Sequence, residues 1–162
     1  MKIFKSVKNV GTQESTVCGR DFTQIALLNP ISVEAEKDSQ LLITLTVPDT
    51  WCDVAGEGAW FAIKAGSPGT NNIVARGLYT CGIAGQRVPI VLQALVDITC
   101  DQPVEVVAQW HATGNAPCYI GSASETVLTV LVNDEQWQKK TLQSQVDKYL
   151  KAQSKTSGWP FS

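Results

Sequence analysis

The run Val88-Pro-Ile-Val-Leu-Gln-Ala-Leu-Val-Asp-Ile98 decides the fold class, because it is apolar on both faces of an extended chain. Successive side chains of a strand point to opposite sides, so a strand with one wet face alternates apolar and polar residues. Here Val88, Ile90, Leu92, Ala94, Val96 and Ile98 make one clean apolar face, while Val91 and Leu95 stand on the other with Gln93 and Asp97. Two later runs share the property. Val104, Val106, Ala108 and Trp110 face one way, and Val107 faces the other with Glu105 and Gln109. In 126–132, Val127 and Leu131 oppose Leu128, Val130 and Val132. One domain of this size covers one face of such a sheet, so the second face calls for another subunit or another layer.

Outward from this region the chain reads as short strands between turn signals. Thr23-Gln-Ile-Ala-Leu-Leu28 is the first run. Leu41, Ile43, Leu45 and Val47 alternate with Leu42, Thr44 and Thr46, and the strand is predicted to stop at Pro48-Asp49. Trp60-Phe-Ala-Ile-Lys64 follows Gly56-Glu-Gly58. The loop Ala65-Gly-Ser-Pro-Gly-Thr-Asn-Asn72 leads into Ile73-Val-Ala-Arg-Gly-Leu-Tyr-Thr80. Asp101-Gln-Pro103 and Thr113-Gly-Asn-Ala-Pro117 separate the later runs. Short strands with no helical pattern between them predict an all-β sandwich, a jelly roll or an immunoglobulin-like domain. No cysteine–tryptophan–cysteine framework marks the latter.

The two ends read differently. Residues 1–20 are polar and mixed, with Gly11 and Gly19 as breaks, and predict an extended N-terminal arm. After Val132 the period changes. Asn133 is read as able to cap a helix, with Gln136 three residues on, Asp134 and Glu135 in the expected first turn, and Lys148 and Lys151 near the expected end. Leu142, Val146, Tyr149 and Leu150 make one apolar stripe, with Trp137 further back and Trp159 and Phe161 in the last residues. The domain reading is therefore an arm over 1–20, a β-jelly-roll domain over 21–132, and a C-terminal amphipathic helix with an aromatic tail over 133–162. Trp137, Leu142, Val146, Tyr149, Leu150, Trp159 and Phe161 are expected to dock on a partner, because aromatic anchors are enriched at interfaces.

Composition narrows the function. Of the 162 residues, 17% are charged, below the usual roughly 25%, which suits a chain that hides surface in an assembly. A net charge of −2 gives no electrostatic reason to bind nucleic acid. The N-terminal residues lack an apolar run, so neither a signal peptide nor a membrane span is expected, and synthesis is placed in the cytoplasm. Cys18, Cys52, Cys81, Cys100 and Cys118 are odd in number and far apart, without metal spacing, and read as reduced cysteines with no essential disulfide.

No enzyme is legible. His111 is the only histidine, and no G-x-S-x-G elbow presents a serine to it. Asp49 with Asp53, and Asp97 with Asp101, could share a hard cation or simply cap turns. Gly56-Glu-Gly58 lacks the rest of a dinucleotide fingerprint. The expectation is no catalytic residue, no cofactor and no metal. Trp51, Trp60 and Trp110 raise a sugar-stacking alternative, with Trp60 and Trp110 read as buried and Trp51 as the more exposed.

The runs Gly58-Ala-Trp-Phe-Ala-Ile-Lys64, Ala75-Arg-Gly-Leu-Tyr-Thr80, Val104-Glu-Val-Val-Ala-Gln-Trp-His111 and Thr126-Val-Leu-Thr-Val-Leu131 together resemble a family. It is the trimeric jelly rolls of the tumour-necrosis-factor and complement-head type, as found in bacteriophage virion proteins. The resemblance covers about residues 23–132 and rests on strand order and flavour, without an invariant motif. It implies a homotrimer whose later strands pack around a threefold axis, and it adds Trp110 to the contact at which the two-sided pattern places Val107, Leu128, Val130 and Val132. It implies a virion location and a capsid decoration (cement) role, with the major capsid protein as partner. The alternative is a receptor- or carbohydrate-binding head of a tail fibre, meeting a surface glycan.

Overall fold

The computed structural model describes residues 2–8, 13–14, 21–26, 28–70, 72–121, 125–133, 143–148 and 151. In chain order its strands are β1 (Lys2–Lys8), β2 (Gln13–Glu14), β3 (Thr23–Gln24), β4 (Ile31–Ala35), β5 (Gln40–Cys52), β6 (Gly58–Gly66), β7 (Asn72–Thr80), β8 (Val88–Asp97), β9 (Gln102–Ala112), β10 (Cys118–Ile120) and β11 (Thr126–Asn133). They make two antiparallel sheets. The first runs β1-β11-β5-β8, with β10 beside the far end of β5 and β2 beside β10. The second runs β4-β9-β6-β7, with β3 next to the far end of β9. The chain crosses between sheets from β2 to β3, β4 to β5, β5 to β6, β7 to β8, β8 to β9 and β9 to β10. This is an all-β jelly-roll sandwich.

The core lies where the inward faces meet. Leu41, Ile43, Leu45 and Val47 of β5 oppose Phe61 and Ile63 of β6 and Val104, Val106, Ala108 and Trp110 of β9, all buried. Phe61 and Trp110 stack with ring centroids 5.7 Å apart. Each such side chain contributes roughly 1.5–3 kcal/mol when removed from water. Leu92 leans across the side of the sandwich onto Gly77, where a Cβ would sit 2.6 Å from its Cδ2. A bare glycine at this position lets β8 approach β7. The β6–β7 hairpin closes through Ser67-Pro68-Gly69-Thr70. The Thr70 N–H donates to the Ser67 carbonyl at 2.9 Å, and Gly69 takes φ 82°, a type II pattern of Pro then Gly.

Three differences from the sequence reading have local causes. β5 does not stop at Pro48 but continues to Cys52. The register with β8 shifts between Val47 and Thr50, so the proline, which has no N–H to give, falls in an irregularity of the ladder. The expected arm is extended over residues 2–8 but pairs along β11 from Lys2–Val132 to Lys8–Thr126, so that part belongs to the first sheet. β4 alternates buried and exposed residues, Ile31, Val33 and Ala35 inward against Ser32 and Glu34, a run too short to stand out beside Asn29-Pro30.

Four of the expected subunit contacts are corrected. Trp110, Leu128, Val130 and Val132 lie in the core of the single chain, not on its surface. Periodicity showed that β11 has two apolar faces, but not which one turns inward; the three-residue set does, and Val127 and Leu131 face out. Val107 faces outward from the second sheet but is covered within the chain. Val130→Asp is therefore expected to unfold the protein rather than dissociate it, since it buries an unpaired charge. Leu128→Ala should cost about 2–5 kcal/mol. Circular dichroism and urea unfolding of the two variants check this, and a folded, monomeric Val130→Asp protein would contradict it.

Candidate interaction surface

The outer face of the first sheet is ordered in rows set by strand register. Ile3 pairs with Leu131, Leu131 with Leu42, and Leu42 with Leu95, so four aliphatic residues from four strands lie in one line. Ile3, Leu42 and Leu95 are 66%, 38% and 62% exposed, and Leu131 is partly buried between its neighbours. Two residues along, Thr129, Thr44 and Gln93 form a polar row, in which the Gln93 amide donates to the Thr44 hydroxyl at 3.4 Å. Beyond it come Val127, Thr46 and Val91, the last 57% exposed. At the opposite edge Asn133, Gln40 and Asp97 close the face, with Gln40 Nε2 donating to Asp97 Oδ1 at 2.8 Å. Single exposed aliphatics are ordinary, but a contiguous line of them marks a surface used for contact.

This is the second apolar face that the two-sided pattern of β8 and β11 requires. Val91, Leu95, Val127 and Leu131 stand where alternation places them. Leu42 was visible in the sequence as the apolar member of the half-exposed side of β5. Ile3 carried no signal, because its strand was hidden in a polar N-terminal stretch.

The aromatic residues are arranged otherwise. Trp51 is not in an exposed loop. It sits in β5, nearly buried, stacked on Tyr119 at 5.4 Å with the Arg87 guanidinium 4.2 Å from its ring centre. Trp51 is thus packed within the chain rather than presented on a loop. Trp60 is only half-buried on the outer face of the second sheet, with the Arg76 guanidinium 5.3 Å from its ring centre. Its cross-strand neighbours are the exposed Leu78 and His111. The His111 ring packs edge-on against Phe22 at 4.5 Å, and its Nδ1–H donates to the Ala112 carbonyl at 2.8 Å. Asp101 Oδ1 accepts the Lys37 backbone N–H at 2.6 Å. No cluster of three metal-ligating His, Cys, Asp or Glu side chains occurs among the described residues.

The cysteine reading is corrected. β10 sets Cys118 directly opposite Cys52, and the two form a disulfide with Cα atoms 4.6 Å apart. Their sequence separation of 66 hid the pair from any spacing rule, and the odd total pointed away from it. Cys81 is a buried thiol that donates to the Cys52 carbonyl at 3.4 Å and the Ile83 carbonyl at 3.2 Å. Cys100 is free and exposed, and Cys18 lies outside the described residues. Burial of Tyr79, together with its contact to Cys81, pushes the phenol up to about 12, against an opposing bond to the Cys52 backbone.

Of the expected partner-docking residues, only Val146 is described. It is exposed, in a helical stretch over 143–148 tied by Gln143 Nε2 donating to Asp147 Oδ1 at 3.0 Å. Trp137, Leu142, Tyr149, Leu150, Trp159 and Phe161 lie outside the described residues.

No protein-family model matches the chain, and no curated protein matches it. Among solved structures it is similar to a chain of infectious bursal disease virus, Gx strain. The TM-score is 0.49 at 11% identity, over 81% of this chain and 32% of that one. It is similar to the Eiger TNF of S. frugiperda, with a TM-score of 0.46 at 6% identity, over 82% and 93% of the two chains. It is also similar to the C-terminal domain of EclA, a sugar-binding protein, with a TM-score of 0.41 at 8% identity, over 78% and 79%. The chain spans about a third of the viral chain it matches. Likenesses this distant carry no argument about function, and the sandwich rests on its own strand pairing.

Two outcomes are expected here. Reduction, or Cys118→Ser, should lower stability by about 2–4 kcal/mol, read as a shift in the urea midpoint, because the bond closes a long loop. An unchanged midpoint would show the bond to be dispensable. The second concerns Tyr79, whose folded value lies above its ordinary 10.0. Its stabilising share is whole below pH 10 and is lost as pH rises toward about 12, because the unfolded chain releases the proton first. Tyr79→Phe should flatten that alkaline fall in stability; an equal slope in both proteins would contradict the assignment.

Proposed function

We propose that this protein is a non-enzymatic, homotrimeric structural protein of a virion, one that decorates a capsid shell and stabilises it. The observation that supports this reading is the exposed aliphatic line Ile3–Leu131–Leu42–Leu95 across the whole first sheet. A second copy of the chain is the occupant we assign to that face, in place of the core residues first expected at the contact. Covering what these side chains still expose removes apolar surface from water at roughly 25 cal/mol per Å², a driving force for association. The C-terminal segment 133–162 would then remain to grip the major capsid protein.

The rival reading, a glycan- or receptor-binding head, draws on the half-buried Trp60 beside Arg76 and His111 on the opposite sheet. In that case Trp60→Ala should abolish binding to a glycan panel and leave the oligomer intact.

The test is native mass determination at low micromolar concentration for the wild type and for Leu42→Glu with Leu95→Glu. The wild type should run as a trimer or a multiple of one, and the variant should lose the trimer with an unchanged circular dichroism spectrum, because both sites are exposed in the single chain. A monomeric wild type would overturn the self-assembly reading.

A further inference from the structure

Sheet edges invite pairing with other chains, and proteins guard them with charge, bulges, proline or shortness. Most edges of this sandwich are guarded. β1 carries Lys2, Lys5 and Lys8. β4 has five residues, with Glu34 among them. β7 carries the exposed Arg76, and its ladder with β6 has a register shift at Ile63 and Lys64. β8 is guarded only at its ends, by Pro89 with the register shift beside it and by Asp97, and its middle from Ile90 to Val96 carries none of these devices. It pairs with β5 on one side and with no strand of the described residues on the other. Its ten residues hold no charge before Asp97, and Pro89 stands at its very start.

The side of the sandwich along β8 is only partly closed, by Leu92 reaching across to Gly77 of β7. The inward residues of β5, Leu41 to Val47, are fully buried, whereas Ile90, Leu92 and Val96 of β8 face the same core and stay partly exposed.

We propose that the occupant of this edge is β8 of a second copy, paired antiparallel about a twofold axis at Gln93. In that register Val91 lies opposite the partner's Leu95, and Leu95 opposite the partner's Val91. The Gln93 amides meet each other, Leu92 faces the partner's small Ala94, and Asp97 faces the partner's Pro89 rather than a second acid. Each aliphatic residue of the outer face thus meets an aliphatic residue, and no like charges are opposed. A one-residue slip would place the outward Val91 and Leu95 against inward-facing positions, so the strand's own alternation selects this register. The pairing goes beyond the trimer. It uses the main chain of β8, whereas the trimer uses the outward side chains, and a twofold contact isologous in this way would join one trimer to the next.

The experiment is Gln93→Cys in a Cys100→Ser background, air-oxidised and run on non-reducing denaturing gels. Cross-strand Cβ atoms about 4.5–5.5 Å apart are within reach of a disulfide after a small shift. Gln24→Cys in the same background, exposed on the other sheet, is the control for random collision. Covalent dimer from Gln93→Cys at several times the control level, and its loss when Val91→Lys is added to guard the edge, would support the twofold pairing. Cross-linking no greater than that of Gln24→Cys would overturn it. The gel reads one pairwise contact, so a trimeric mass without this cross-link sinks the edge pairing alone, and the cross-link in a protein that is not trimeric sinks the trimer alone.

Discussion

The structure depends on the two-sided commitment of β5. One strand bonds to β11 and β10 along one edge and to β8 along the other, and so fixes the register of the whole first sheet. Side chains alternate with a strict period of two, so this register also decides which residues are core and which are surface. Leu41, Ile43, Leu45 and Val47 go to the interior, while Leu42, Thr44 and Thr46 go to the outer face. A slip of one residue would expose the centre of the hydrophobic core and bury threonines. The disulfide at the end of β5 adds a covalent stop to the same strand.

How much of this could be read beforehand follows from which forces are local. The inward faces of β8 and β9 were legible, because six and four consecutive alternate positions are apolar. The outward Val91, Leu95, Val127 and Leu131 were legible for the same reason. Direction was not: on β11 both faces are aliphatic, and only the packing of the opposite sheet decides between Leu128 and Leu131. The aliphatic line across four strands was out of reach too, since it joins Ile3 to Leu95 through register rather than through sequence spacing. Trp51 was misplaced because Pro48 reads as a strand end, when the irregularity in the ladder to β8 absorbs it.

The two outer faces make different use of their residues. On the second sheet Arg76 lies over Trp60, His111 rests on Phe22, and Val107 and Ala62 are buried, while Leu78 stays half exposed. On the first sheet the exposed Ile3, Leu42 and Leu95 fall in one row with Leu131, beside threonine and glutamine. Alignment across four strands, rather than exposure alone, is what singles out the first sheet as the contact face we propose.

The pairing of Lys2–Lys8 with Thr126–Asn133 has a consequence for how the molecule comes into being. Among the described strands the first in chain order is completed by the last, and the intervening crossovers have to form before the first sheet can close. Contacts so distant along the chain make for slow folding, because the entropy of closing long loops is spent before the pairing returns it. Until β11 is in place, β1 lacks its partner and presents an open edge while β5 and β8 can already pair, a stage at which an unpaired strand is exposed to neighbouring chains.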